Sequence, residues 1–325
     1  VTSRLAILIL CILLSGCTIS NRKLIAQSDH FWIVETRHND SFPALAQDYL
    51  DDPALASVIA RYNPGQSLQT GTLVAIPRKN LNPAAVYTQG VQVVPILCYH
   101  QFTQKDKSTN SMVVTARAFE KQMAYLKEHG YQVVTLDDVA DFLNGEKNLP
   151  DKAVVITIDD GYASYYQVAY PILKKYGYPS TLFVYTDFVG IGRSLSWQQI
   201  NELNEDPQVS IQSHSKSHSN LAASQDETTN DYLFRLTQEV EKPDQILRHK
   251  TQKDISHFAY PYGNSSPELV KLLKDRDYQL ALTVRKGSNP SFAAPYLLRR
   301  TMIYGQDSLN GFSSKLEVFR QMNLK

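Results

Sequence analysis

The stretch Val154-Val155-Ile156-Thr157-Ile158-Asp159-Asp160-Gly161-Tyr162 decides how this chain is read. Its first five residues are β-branched and mostly apolar, the character of a strand buried on both faces, and the run stops at two carboxylates and a glycine. Adjacent residues leaving a strand point in different directions. Asp159 and Asp160 can therefore take different tasks at one place, one holding a metal and the other accepting a proton. Taken alone, Asp-Asp-Gly also fits a plain turn after a core strand, because both residue types suit turns for local backbone reasons. Two later stretches bear on the choice: Ser213-His214-Ser215-Lys216-Ser217-His218 and Phe258-Ala259-Tyr260-Pro261-Tyr262-Gly263.

Strand-like apolar runs recur around this stretch, at 94–99, 133–136, 154–158, 181–185, 209–213, 257–260 and 280–284, and helical spacing occupies 118–129, 165–176, 197–204 and 268–275. Alternation of this kind predicts an α/β domain: a parallel sheet with helices outside, either open and doubly wound or closed as a barrel. Its function is then expected at the carboxyl ends of the strands. His214 and His218 follow the strand 209–213 at a four-residue interval, which sets both rings on one side if the segment turns helical. Two neutral imidazoles and one carboxylate make a three-ligand set that leaves open positions on zinc or a similar divalent ion. By itself, His-x-x-x-His fits a pair of solvent-exposed histidines better.

In this order and at these separations, Ile158-Asp159-Asp160-Gly161, His214-Ser215-Lys216-Ser217-His218 and Tyr260-Pro261-Tyr262-Gly263 resemble the motifs of the polysaccharide deacetylases of carbohydrate esterase family 4, the NodB homology domain. The likeness covers roughly 95–303, and Pro95-Ile96-Leu97-Cys98-Tyr99-His100 resembles the branch that includes exopolysaccharide deacetylases. It implies a distorted (β/α)7 barrel over 93–325, in agreement with the seven runs. It also implies that Asp159 is the general base toward the attacking water and that Asp160, His214 and His218 bind a divalent metal, expected to be zinc. The backbone N–H of Tyr262 would meet the developing oxyanion. Tyr260, Pro261, Trp197 and His100 are candidates for the substrate groove, with packing as the alternative for the aromatic side chains.

Two departures stand out. Many members of that family carry an Arg two residues before the Pro-Tyr-Gly proline, steering the catalytic Asp, and here that position is Ala259. The late Leu-x-His of the family, source of its general acid, is represented only by Leu298-Arg299-Arg300, and no histidine follows His257. Protonation of the leaving group then falls to another group, His100 or water at the metal, and His257 reads as structural. The implied activity is removal of N-acetyl groups from an aminosugar polymer, either peptidoglycan or a poly-N-acetylglucosamine type exopolysaccharide. The alternatives are a glycan-binding lipoprotein whose enzyme domain has lost turnover and an O-acetyl esterase on the same fold.

The remainder of the chain places this domain. Arg4, the apolar run Leu5 to Leu14 and Leu14-Ser15-Gly16-Cys17 resemble a lipoprotein signal with its lipobox over 1–17. The resemblance implies lipidation at Cys17, a membrane partner reached through the lipid, and a place in the bacterial envelope, periplasmic or facing from the outer membrane. Residues 31–77 read as strand, two helices and strand, and Trp32-Ile33-Val34, Asn39-Asp40-Ser41, Tyr62-Asn63-Pro64 and Gly71-Thr72-Leu73 resemble a LysM module, a small α+β unit that binds N-acetylglucosamine glycans. Asn39 stands where that family usually has Gly, although Asn tolerates positive φ. Residues 78–92 show no sustained period and read as a linker. Cys98 is the one cysteine after Cys17, so no disulfide framework is expected, and it suits a small buried hydrophobe. At 43% hydrophobic, 20% charged and net charge +1, the chain is globular with no basic run, which argues against nucleic acid as a partner. No protein partner can be inferred.

Overall fold

The structure is a computed structural model and describes residues 22–28, 31–78, 82, 84–87 and 89–322. Residues 1–17, with Cys17 and the lipobox, lie outside the described residues. The chain divides into two compact units, one up to residue 81 and one from Asn82 onward.

In the first unit, strands Phe31–Glu35 and Leu73–Pro77 pair antiparallel, with Trp32 opposite Ile76 and Val34 opposite Val74. Helices Phe42–Leu50 and Ala56–Tyr62 come between them in sequence. One further strand, Leu24–Gln27, adds to the other edge of Phe31–Glu35, ahead of the expected start at Phe31. Val34, Leu45, Ala46, Ile59, Val74 and Ile76 form a core of their own. Asn39 takes the left-handed conformation, φ 65°, at the turn into the first helix, and the Ser41 side chain caps that helix by accepting from the Ala44 N–H. Asn63 ties the second helix to the sheet: its amide donates to the Ile59 and Ala75 carbonyls and accepts the Ala75 N–H.

The expected linker at 78–92 proves shorter. Val86–Tyr87 pairs antiparallel with Gly90 and Val91, and the Gln92 amide donates to the Pro150 carbonyl at 2.8 Å. Ala85 and Val91 are buried, so this hairpin has an apolar side to pack into the second unit.

That unit is built on parallel strands: β1 (Gly90–Tyr99), β2 (Ala153–Ile158), β3 (Ser180–Val184), β4 (Val209–Ser213), β5 (His257–Ala259), β6 (Leu280–Leu282) and β7 (Thr301–Met302). Strands β1 to β6 are neighbours in sequence order, and β7 lies on the far side of β1. Leu298, just before β7, bridges in parallel to Leu282 of β6, so the sheet curls back toward itself. Strands covered on both faces carry apolar runs, clearest in β1 and β2, and six of the seven are legible in the sequence. The expected run 133–136 is not one of them. Only Gln132–Val133 is extended, against Ala153 and Val154. Thr135 then caps a helix in a reciprocal capping box with Asp138. The longer helices are α1 (Ala116–Glu128), α2 (Leu136–Leu143), α3 (Tyr170–Tyr176), α4 (Trp197–Asn204), α5 (Thr229–Thr251) and α6 (Pro267–Lys274). The turn Tyr165–Ala169 that leads into α3 is a π-helix rather than the start of one regular helix.

Candidate active site

At the end of β2 the two acids part. The Asp159 N–H extends the ladder to the Tyr99 carbonyl, and its carboxylate is buried, 1% exposed. Arg300, itself fully buried, meets both oxygens, with Nη1 to Oδ1 and Nη2 to Oδ2 each 2.7 Å, while its Nε donates to the Thr283 carbonyl. Burial would raise the Asp159 carboxyl, but the charge of Arg300, then that of His214 and the guanidinium hydrogen bonds, hold it below the usual carboxylate range. Asp159 is therefore an anion fixed in one orientation. The Cys98 Sγ lies 3.5 Å from Asp159 Oδ2, and burial pushes its thiol well up, so it remains a protonated neighbour.

Asp160 has φ 76°, a left-handed value that aims its side chain away from that of Asp159. His214 and His218 do not share a helix, as their spacing suggested. Residues 214–218 form a loop in which Ser215 (φ 72°) and His218 (φ 60°) are left-handed, and this loop brings both rings to Asp160. His214 Nδ1 lies 2.7 Å from the Ala259 carbonyl, so it carries the ring's proton and Nε2 is left as a ligand atom. Asp160 Oδ1 lies 3.5 Å from His214 Nε2 and 3.3 Å from His218 Nε2. Ligands bound at about 2.0–2.2 Å to a tetrahedral ion stand about 3.3–3.6 Å apart. Asp160 Oδ1 is moreover buried without a hydrogen-bond donor, an expensive state that a cation relieves. The three side chains fit a divalent metal.

The third motif follows β5. Tyr260 is fully buried, its hydroxyl donates to the Tyr296 carbonyl at 2.9 Å, and its ring packs edge-on against Phe258. Its side chain is thus core rather than groove wall, and Pro261 is buried with it. Tyr262 is left-handed, φ 58°, and its N–H has no backbone acceptor among the described residues. Its ring is 61% exposed and meets the His218 ring at 4.8 Å. Gly263 is obligatory, because a Cβ there would fall 2.6 Å from the Val284 nitrogen at φ 74°. Non-glycine left-handed residues thus gather at this one place, as strained backbone does at working sites.

His100 lies at the site: one of its ring nitrogens, Cys98 Sγ and an Asp159 oxygen are all within 4.8 Å of one another. Its Nδ1 is buried without a partner, and burial outweighs the neighbouring carboxylates to lower its pKa. Trp197 belongs elsewhere. It heads α4, packs on the core, and its ring lies beneath Lys250 of α5, so the helix layer accounts for it. His257 is buried and its Nε2 lies 2.8 Å from Asp137, consistent with a structural role.

Two features escape the sequence reading. Arg300 supplies the guanidinium that Ala259 cannot, and it does so from the third position of Leu298-x-Arg300, where the Leu-x-His pattern has a histidine. The second feature is an aromatic train beside the metal set. Tyr162 meets Phe188 at 5.2 Å, Phe188 stacks on Tyr185 at 5.0 Å, and Tyr185 lies 5.1 Å from His218. Burial pushes the Tyr185 hydroxyl up to about 12, so it is a neutral hydrogen-bonding group.

Comparison with known proteins accords with this geometry. Residues 146–281 match the family profile described as polysaccharide deacetylase. The chain is 29% identical over 247 residues to a Bacillus subtilis protein named "Putative polysaccharide deacetylase YxkH", covering 75% of this chain and 84% of that one. It is 27% identical over 256 residues to the poly-β-1,6-N-acetyl-D-glucosamine N-deacetylase of Escherichia coli K12, covering 68% of this chain but only 38% of the relative. Among solved structures, the Streptococcus pyogenes deacetylase PplD in complex with acetate superposes with a TM-score of 0.62 at 25% identity, over 69% of this chain and 98% of that one.

Proposed function

We propose that the polysaccharide deacetylase domain of this chain hydrolyses N-acetyl groups on an aminosugar polysaccharide, and that the polymer is a poly-N-acetylglucosamine. The reading is carried by one observation: Asp160, His214 and His218 converge through ligand atoms within 4.8 Å, beside an Asp159 that Arg300 holds anionic. Support for the polymer comes from relatives named poly-β-1,6-N-acetyl-D-glucosamine N-deacetylase in Escherichia coli and Staphylococcus epidermidis, and from the Pro95 to His100 opening.

A divalent ion held by Asp160, His214 and His218, zinc by preference, would supply Lewis acidity toward water and the acetyl carbonyl. The chain's own groups then do the following. Asp159 takes the proton of the attacking water; Arg300 engages both of its oxygens, which stops the carboxylate from rotating yet leaves lone pairs free. The Tyr262 N–H donates to the carbonyl oxygen as negative charge builds on it. His100, kept neutral at rest because burial lowers its pKa, receives the proton that Asp159 took from water and gives it to the departing amine. Acetate and a free amino sugar result.

In this reading the first unit holds glycan, supported by its strand-helix-helix-strand order and the left-handed Asn39 turn. A lipid on Cys17 keeps the protein at the bacterial envelope, supported by Leu14-Ser15-Gly16-Cys17.

The test is acetate release from poly-β-1,6-N-acetylglucosamine oligomers, peptidoglycan fragments and an O-acetyl ester, with chelator and with restored Zn2+. Release from the first substrate that stops with chelator and returns with metal is expected. Release from the ester alone, or release indifferent to chelator, overturns the reading.

A further inference from the structure

The 214–218 loop is held from two sides. On one, the His214 N–H donates to the Val184 carbonyl at the end of β3, and the Asp187 N–H donates to the Lys216 carbonyl, both at 2.9 Å. On the other, it meets a single residue of α5. Glu239 is 6% exposed; its Oε2 accepts the N–H groups of Lys216 (3.1 Å) and Ser217 (2.9 Å), and its Oε1 accepts the Ser217 hydroxyl (2.6 Å). The Glu239 backbone carbonyl also accepts the Lys216 N–H, at 3.1 Å.

That carbonyl lies inside a helix, where the N–H four residues on normally takes it. Four residues on is Pro243, buried within α5 and lacking an N–H. A proline in a helix interior is unfavourable, and here it frees from the helix ladder the α5 carbonyl that the loop uses. We propose that Glu239 and Pro243 form a clamp that keeps His214 and His218 in metal-binding geometry. Glu239 is the positioning residue, and Pro243 keeps its carbonyl free. The inference rests on the reading of Asp160, His214 and His218 as the metal set. The need for a clamp follows from the loop itself, because Ser215 and His218 both hold left-handed values that side chains with a Cβ disfavour. Released, the loop relaxes and the two Nε2 atoms separate. A carboxylate accepting backbone N–H groups makes the stronger kind of hydrogen bond, suited to opposing that strain.

The test is Zn2+ affinity, measured on the full chain by competition with a chromogenic chelator, for wild type, Glu239→Gln and Pro243→Ala. Glu239→Gln should weaken binding by about 10- to 100-fold, the usual range for partners behind metal ligands. Saturating Zn2+ should restore most of kcat, with KM for the glycan unchanged. Pro243→Ala supplies the sign: alanine brings back an N–H that competes for the Glu239 carbonyl and improves the helix. The metal-free protein should then melt at the same or a higher temperature while its Zn2+ affinity falls by about fivefold, the worth of one hydrogen bond. A proline that merely shapes the helix would leave affinity untouched. Wild-type affinity in both variants overturns the clamp. If Glu239→Gln does not fold by circular dichroism, unchanged affinity in Pro243→Ala overturns it alone. A wild-type chain that takes up no Zn2+ overturns the metal reading and the clamp together, whereas tight wild-type binding matched by both variants removes only the clamp.

Discussion

Arg300 and Asp159, 141 residues apart in sequence, meet as a two-pronged pair in which each carboxylate oxygen lies 2.7 Å from its own guanidinium nitrogen. Both side chains are shut off from solvent, so the pair fixes at once the charge of the acid and the direction of its free lone pairs.

Replacing Arg300 by Met separates these effects. The guanidinium lowers the Asp159 pKa, so its loss raises it, and the acid limb of kcat/KM should move to higher pH. Stability carries the same sign: a depressed carboxyl stabilises the fold above its unfolded pKa and ceases to as pH falls through its folded one. The variant should therefore lose about 3–5 kcal/mol at neutral pH, the usual consequence of leaving a buried charge unpaired, and less in acid. A pH–rate profile and denaturant melts at two pH values check both; an unmoved acid limb contradicts the assignment.

The adjacent acids should respond differently to the same substitution. Asp159→Asn keeps the metal set intact and should lower kcat by about 10²- to 10⁴-fold with metal content unchanged. Asp160→Asn should lose metal, and excess Zn2+ should partly restore activity. Metal analysis alongside acetate release distinguishes them, and loss of metal from the first variant alone would exchange the roles.

Gly263→Ala tests the oxyanion loop. The added Cβ would sit 2.5 Å from a Val284 methyl and 2.6 Å from its nitrogen, so the segment carrying the Tyr262 N–H has to shift. We expect kcat to fall by about 10²- to 10³-fold, as when an oxyanion donor is removed, with metal binding retained. Near-normal kcat in a folded variant would remove Tyr262 from that role.

Tyr262→Ala keeps the N–H but deletes a ring that is 61% exposed beside His218. If that ring stacks on the sugar, KM for oligomers should rise by about two- to tenfold while kcat holds, the worth of one aromatic contact. Steady-state kinetics on long and short oligomers reads this directly, and an unchanged KM would assign the ring to packing on His218.

What was legible in the sequence follows physical lines. Asp159 and Asp160 stand out because polar groups ending a long apolar run are easy to see, His214 and His218 because of their ordered spacing after a strand, and the structure brings the four together. Thr301–Met302 is too short to show a period, so the seventh strand and Arg300 beside it stayed hidden. The run Val133 to Leu136 looks like a strand until the reciprocal pairing of Thr135 and Asp138 marks it as a helix start. The four-residue histidine spacing suggests a helix, and only backbone angles reveal the left-handed Ser215 and His218. Tyr260 shares its motif with Tyr262 but faces the interior, a distinction of strand direction that a motif does not carry.

The closure of the sheet through Leu298 and β7 has a kinetic consequence. β1 is flanked by β2 on one side and by the distant Thr301–Met302 on the other, so the curled sheet is sewn from segments far apart in the chain. Until the chain has been made as far as Arg300, Asp159 is a buried-type carboxylate with no countercharge, and folding must await a contact of large sequence separation.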